Sequence, residues 1–359
     1  MSENPALTAP SLRSKTLNVL ETIAIGAAGG GLSYWAQLPG GLITGAMVAV
    51  AAAGLAGRKM GLPPPLSHIV LMALGVSLGS MVSPQMIHNL SSYPVTIGLL
   101  AVATFCATFG SSIYLQRVHG WDRTSALLAG SPGALSQIIM LATERKANVP
   151  GIAVVQIMRV IILTSAVPLL LAATGMMAHG PLPSRGPEAT PLVLVELSAV
   201  AIAASLLLRL INFPASWMFG AMLGSSVLHG SGLVEGTLPQ WAYLPALVGI
   251  GTLIGSRFGA IKARTIVSYL GAALGSFAVA IAISAVFVVA IIFTTPVRLA
   301  DLVVAFSPGA MDAMMALALT LHIDPVFVGA HHLSRFIYVS IVTPGIVHWF
   351  GRSPDDLDD

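Results

Sequence analysis

Two arginines stand where the surrounding chain is almost wholly apolar. Arg159 lies in IAVVQIMRVIIL and Arg335 in VFVGAHHLSRFIYV, and neither stretch holds an acid. Charge is expensive to bury in such surroundings, so each arginine invites a functional role. Gln156 precedes Arg159 by one helical turn, and His331 and His332 precede Arg335 by four and three residues. Helical spacing puts these groups on one face. A guanidinium so placed can bind an anionic solute or hold a carboxylate. It can equally donate to backbone carbonyls freed by a nearby chain break. Such breaks exist at Ser131-Pro132-Gly133 and Ser307-Pro308-Gly309, about 25 residues ahead of each arginine. Pro and Gly interrupt a helix and leave backbone groups to face a cavity. The two roles are compatible.

Asp312 follows Ser307 by five residues and is the one acid read as lying well inside an apolar segment. It is the candidate for coupling to a proton or cation, and an ion pair with Arg159 or Arg335 is the alternative. Glu21 and Glu196 fall within two turns of their segment starts and read as interfacial. His331 and His332 are adjacent, so on a helix they diverge by about 100° and cannot readily share a metal ion. His322, Asp324 and His348 lie near segment ends. Cys106 is the single cysteine, which excludes a disulfide framework and a cysteine-based metal site. Met311, Met314 and Met315 read as core filler. There is no phosphate-binding loop, nucleotide fingerprint or Ser-His-Asp set. No catalytic residue, metal ligand or cofactor is therefore assigned.

The elements that position these groups follow from composition. Of 359 residues, 55% are hydrophobic and 9% charged, and the mean hydropathy is +0.87. Soluble domains carry about 25% charged residues. The apolar runs are continuous rather than alternating, which predicts membrane-spanning helices and not a barrel. Arg13 and Lys15 precede the first run in the manner of a secretory signal. Further apolar segments follow at once, so that run reads as an uncleaved first span. The net charge of +3 is scattered through short loops, with no basic stripe to meet nucleic acid.

The chain matches itself at an offset of 175–176 residues. Pro39, Gly45, Ala46 and Met47 correspond to Pro214, Gly220, Ala221 and Met222, and Leu62-Pro63 to Leu238-Pro239. Gly75, Gly79 and Ser80 correspond to Gly251, Gly255 and Ser256. SPGA recurs at 131–134 and 307–310, Arg159 corresponds to Arg335, and Pro168 to Pro344. These matches predict a duplication. Apolar segments are expected near 17–36, 41–57, 66–82, 94–116, 124–142 and 152–175. Their counterparts are near 191–210, 214–228, 240–256, 267–293, 299–320 and 327–350. The spacing Gly75/Gly79, Gly251/Gly255 and Gly271/Gly275 lets helix backbones approach closely.

Loop charge arbitrates the topology. If every segment crosses, nine basic residues lie inside and six outside. If each Ser-Pro-Gly segment instead dips and returns, thirteen lie inside and only Arg185 and Arg298 outside. The positive-inside rule favours the second arrangement. Five crossings per half then put the halves in opposite orientations, the usual plan of secondary transporters. A kinked but fully spanning segment would carry the same tripeptide.

The pattern SPGALSQIIMLATERKANVPGIAVVQIMRVIIL, echoed by SPGAMDAMMALALTLHIDPVFVGAHHLSRFIYV, resembles the duplicated AbrB-type membrane protein family of bacteria. The resemblance covers nearly the whole chain. It implies a bacterial inner-membrane protein, and members carry labels as regulators of gene expression or as ammonia monooxygenases. The family differs from the small soluble DNA-binding proteins of the same name. Its motif usually has a second Gly where Ala134 and Ala310 stand, with an acid two or three positions on. Here Ser136-Gln137 and Asp312 fill that stretch.

The expectation is thus an all-α polytopic membrane protein of two inverted repeats. Each has five spanning helices and one broken or re-entrant Ser-Pro-Gly segment. The first repeat occupies 1–177, a linker 178–190, the second repeat 191–350 and an acidic tail 351–359. The favoured function is secondary transport of a small anionic solute across the inner membrane, with both termini cytoplasmic. Ser131, Pro132, Gly133, Gln156, Arg159, Ser307, Pro308, Gly309, His332 and Arg335 form the expected binding site, and Asp312 the coupling group. The expected partners are the bilayer and the solute, with no direct nucleic acid and a homo-oligomer compatible. A membrane sensor influencing expression is the alternative, and a membrane monooxygenase ranks third.

Overall fold

The computed structural model describes residues 12–82, 93–175 and 187–350, apart from 134, 214, 261, 262, 310 and 322. The acidic tail, positions 178–186 of the expected linker, Arg185, Lys262 and Ala310 lie outside the described residues. Fourteen α-helices run through what is described. In the first half they are α1 (Leu12–Trp35), α2 (Gly41–Leu55), α3 (Pro64–Gly79), α4 (Tyr93–His119), α5 (Arg123–Gly130), α6 (Leu135–Glu144) and α7 (Val149–Ala173). In the second they are α8 (Pro191–Leu210), α9 (Ser216–Gly230), α10 (Gln240–Ser256), α11 (Ala263–Ile292), α12 (Leu299–Phe306), α13 (Met311–Thr320) and α14 (Pro325–Phe350). A 3-10 turn, Arg257–Ala260, follows α10. Among the described residues the only extended pairing is an isolated bridge between Glu188 and Thr237.

Five helices, α4, α7, α8, α11 and α14, are apolar and 20–30 residues long. At about 1.5 Å per residue they cover the ~30 Å hydrocarbon core. The chain is a membrane protein. Its outer surface agrees: Leu207, Val267 and Trp349 are 65, 71 and 81% exposed. The helices α2, α3, α9 and α10 stop at 15–17 residues, shorter than a span of about 20. Gly40 and Ala215, both left-handed, start α2 and α9, and prolines 63 and 239 start α3 and α10.

Local chemistry sets several other helix starts. Asp122 Oδ1 accepts from Ser125 N (2.8 Å) to cap α5. Asn148 Oδ1 accepts from Gly151 N (3.1 Å) to cap α7, where Pro150 sits in the first turn. Thr190 caps α8, which opens on Pro191.

Packing joins early helices to late ones. The helix α2 packs on α10, α9 on α3, α4 on α11, α7 on α11 and α14 on α4. Two of these crossings are backbone-close because glycine allows it. A Cβ on Gly75 would lie 2.3 Å from Met218 O, and one on Gly251 would lie 2.2 Å from Ile43 O. The main buried cluster runs through α2, α3, α4, α7 and α9 to α14 and takes in Ala313–Leu319.

Candidate functional site

Each Ser-Pro-Gly tripeptide ends one short helix and precedes another. α5 stops at Gly130 and α6 starts at Leu135; α12 stops at Phe306 and α13 starts at Met311. At the breaks Ser131 and Ser307 turn to extended backbone, with ψ of 123° and 121°. Gly133 N then donates to Ser131 O (3.0 Å), and Gly309 N to Ser307 O (2.8 Å). The glycines bring the breaks close to side chains of the opposite half. A Cβ on Gly133 would lie 2.9 Å from Val339 of α14, and one on Gly309 would lie 2.1 Å from Leu163 of α7.

Freed carbonyls at the breaks are taken by the polar side chains of α7 and α14. Gln156 Nε2 donates to Leu128 O (3.0 Å) and Ser131 O (2.7 Å). His332 Nε2 donates to Val304 O (3.0 Å), and its Nδ1 accepts from Arg335 Nη2. That pair of bonds fixes the neutral Nε2–H tautomer. Arg335 Nη1 also donates to Ser307 O (2.7 Å). Arg159 Nη2 donates to Ala129 O (3.0 Å). The two arginines are 2% and 4% exposed. They differ in one respect: Arg159 Nε and Nη1 are buried without a hydrogen-bond partner among the described residues. Guanidinium carries five N–H donors, so three of Arg159's are unspent.

These groups meet at a cavity of about 610 Å³. Pro132, Gly133, Gln156, Arg159, Pro308, Gly309, Asp312, His332 and Arg335 line it. Ser131 and Ser307 do not. Ser131 Oγ lies 3.0 Å from Thr343 Oγ1, and Ser307 Oγ donates to Val303 O (2.6 Å). The hydroxyls hold the breaks in place while the backbone faces the space. Asp312 pairs with neither buried arginine. Its Oδ2 accepts from Arg257 Nη2 (3.2 Å), because Asp312 lies in the first turn of α13, against the end of α10. Among the described residues, neither Arg159 nor Arg335 forms an ion pair.

His331 and His332 diverge as their adjacency requires. His331 Nδ1 donates to Phe327 O (2.7 Å), and its Nε2 lies 2.8 Å from Thr96 Oγ1 of α4. Among the described residues, no three His, Cys, Asp or Glu side chains converge.

A family profile described as "Transition state regulatory protein AbrB" matches residues 10–351. The chain belongs to the AbrB family. It is similar to "Uncharacterized protein YhjN" of Bacillus subtilis (strain 168), 27% identical over 296 residues, which are 76% of this chain and 75% of the relative. It is also similar to "Putative regulator AbrB" of Escherichia coli (strain K12), 23% identical over 323 residues, 87% of this chain and 90% of that protein.

In this AbrB-family chain the spacing of residues misses three site features. Arg257 lines the cavity and holds Asp312. In the sequence it is one of several loop cations, and only the fold brings α10 to α13. Gln137, on the open face of α6, also lines the cavity. One acid is buried more deeply than Asp312: Asp301 is 4% exposed. Its carboxylate accepts from Arg298 (2.8 and 2.9 Å) and from Asp324 N (3.0 Å), a structural clamp at the start of α14.

Proposed function

We propose that this protein is a secondary transporter of a small anionic solute, built as two inverted repeats around the cavity between its chain breaks. The observation that carries this is the shared lining. Both Ser-Pro-Gly breaks, and both buried arginines without an acid partner, border one space. A buried cation without a counter-charge is costly, and an anionic solute supplies the missing charge. Broken helices around a midplane site are the common architecture of such carriers.

Several bonds recurring at the repeat offset support the duplication. Gln156 to Leu128 O has its equivalent in His332 to Val304 O. Asn148 N to Ser125 Oγ (2.8 Å) has its equivalent in Asp324 N to Asp301 Oδ1 (3.0 Å). The contact of Gly75 with Met218 O mirrors that of Gly251 with Ile43 O. Inversion itself rests on loop charge, with thirteen basic residues on the cytoplasmic side of the inner membrane and both termini there. In that topology α6 returns to the cytoplasm. It leaves Gln137, Met140, Thr143 and Glu144 exposed, whereas Ala313–Leu319 of α13 are buried. The cavity therefore opens inward in this state.

The test is cysteine accessibility in a Cys106→Ser background, with single cysteines at Arg145, Arg185, Arg257 and Gln137. Labelling of 145, 257 and 137 from the cytoplasm and of 185 from the far side is expected. Labelling of 145 and 257 from outside would make all segments cross and remove the inverted repeat.

A second reading is favoured by the description of the family as a "regulatory protein" and of the E. coli relative as a "regulator". There the same cavity holds a ligand whose occupancy is relayed to a partner protein, as one copy or as a homo-oligomer. A sensor binds its ligand without moving it, so proteoliposome uptake separates the two.

A further inference from the structure

We infer that the cavity takes a monovalent organic carboxylate with an apolar body, its head group on Arg159 and its tail on the aliphatic wall. This rests on the cavity being a solute site, as proposed above, and adds the chemical class of the occupant. Three observations converge.

The first is charge. Arg257 is neutralised by Asp312 (3.2 Å), which leaves Arg159 and Arg335 as the unbalanced cations of the lining. All their bonds go to neutral acceptors, the carbonyls of the breaks and His332 Nδ1. As like charges bordering one space they repel one another. One carboxylate relieves that repulsion and the burial cost together.

The second is donor supply. Arg335 is tied to Ser307 O, Gly309 O and His332. Arg159, which lines the cavity, spends only Nη2 and keeps Nε and Nη1 buried and unpartnered among the described residues. The head group therefore belongs at the first-half arginine. Unpaired buried donors are rare because each costs desolvation energy.

The third is the rest of the lining. Ile139, Ile157, Val160, Ile254 and Phe336 face the same space. A strongly hydrated inorganic oxyanion gains nothing from such a wall, and a second carboxylate would have to be desolvated against it. An alkyl or aryl chain is what it accommodates.

The test uses the full-length purified protein in detergent, with acetate, butyrate, hexanoate, benzoate, hexanol, hexylammonium and inorganic phosphate as probes, read by calorimetry. Affinity is expected to rise by about fourfold per methylene from acetate to hexanoate. Hexanol and hexylammonium should bind at least tenfold more weakly than hexanoate. R159Q should weaken hexanoate by about tenfold or more and leave hexanol unchanged. I139F, which narrows the apolar wall, should weaken hexanoate but not acetate. If R159Q does not elute as a monodisperse species, the ligand series and I139F decide. Phosphate binding more tightly than hexanoate overturns the inference, as do equal affinities for hexanoate and hexylammonium, or no binding of any carboxylate. Uptake into proteoliposomes keeps the two proposals apart. Hexanoate bound but not transported refutes the transporter and leaves the site assignment standing. Transport of other solutes without carboxylate binding does the reverse.

Discussion

Gly75→Ala is the sharpest test of how the helices are held together. An added Cβ would sit 2.3 Å from Met218 O on α9, where an ordinary carbon–oxygen contact needs about 3.3 Å. The obstacle is backbone, so no rotamer change relieves it. The helices α3 and α9 must part by about 1 Å at their crossing. Overpacking of this kind costs about 1–3 kcal/mol. The better helix propensity of Ala returns up to about 1 kcal/mol, so a net loss of about 1–2 kcal/mol is expected. Gly31→Ala is the internal control, because a Cβ on Gly31 meets nothing within 4 Å. It should be neutral or gain up to about 1 kcal/mol. Gly251→Ala should behave like Gly75→Ala, since its Cβ would lie 2.2 Å from Ile43 O on α2. The assay is the monodisperse fraction surviving a heating series in detergent, read by size exclusion. G75A and G251A should lose several degrees of midpoint, and G31A none. A midpoint for G75A at the parent value, or G31A failing as early as G75A, refutes the close crossing.

Three further outcomes are expected. Gln156→Leu strips the donor from Leu128 O and Ser131 O and should cost about 2–4 kcal/mol in the same heating assay; an unchanged midpoint means those carbonyls are satisfied otherwise. Asp312→Asn weakens a partly exposed pair with Arg257, so stability should change by less than about 1 kcal/mol. Uptake into proteoliposomes should lose its response to an imposed pH gradient, and a retained response removes Asp312 as the coupling group. Ala215→Gly relieves a left-handed residue (φ 45°) at the start of α9 and should raise the midpoint by about 0.5–1 kcal/mol equivalent; a lower midpoint shows that its methyl packing outweighs the strain.

Helix positions were legible from the sequence because bilayer burial demands long apolar runs, and Pro, Gly and capping residues end them sharply. The segments expected at 191–210 and 240–256 coincide with α8 and α10. The runs expected at 124–142 and 299–320 each became two helices, since the Ser-Pro-Gly turns interrupt them. The site was legible where a polar residue was costly in its own segment, as with Gln156, Arg159, His332 and Arg335. It was illegible where the partner came from another segment. Nothing local ties Arg257 to Asp312, because that bond follows from how α10 meets α13. Asp301 is hidden in the sequence for the opposite reason. It lies near a segment start, where an acid usually meets water, yet its bonds to Arg298 and Asp324 N let it be buried.

The unequal states of two matched arginines are the most informative consequence of the fold. Arg159 and Arg335 occupy equivalent places in the sequence, and each lies behind a break it can cap. Arg335 reaches past its helix end to Ser307 O and Gly309 O, helped by His332. Arg159 reaches only to Ala129 O and Gly130 O, because Gln156 already holds Ser131 O. The helices after the breaks differ in the same sense, with α13 packed into the core and α6 partly exposed. In a transporter of inverted repeats, exchange of these two environments would be the transition between inward and outward states. Gln156→His then becomes a directed perturbation. It gives Arg159 the acceptor that Arg335 has, and should draw the first half toward the packed arrangement of the second. Cysteine labelling at position 137 should slow relative to the Gln156 parent, and faster labelling refutes the exchange.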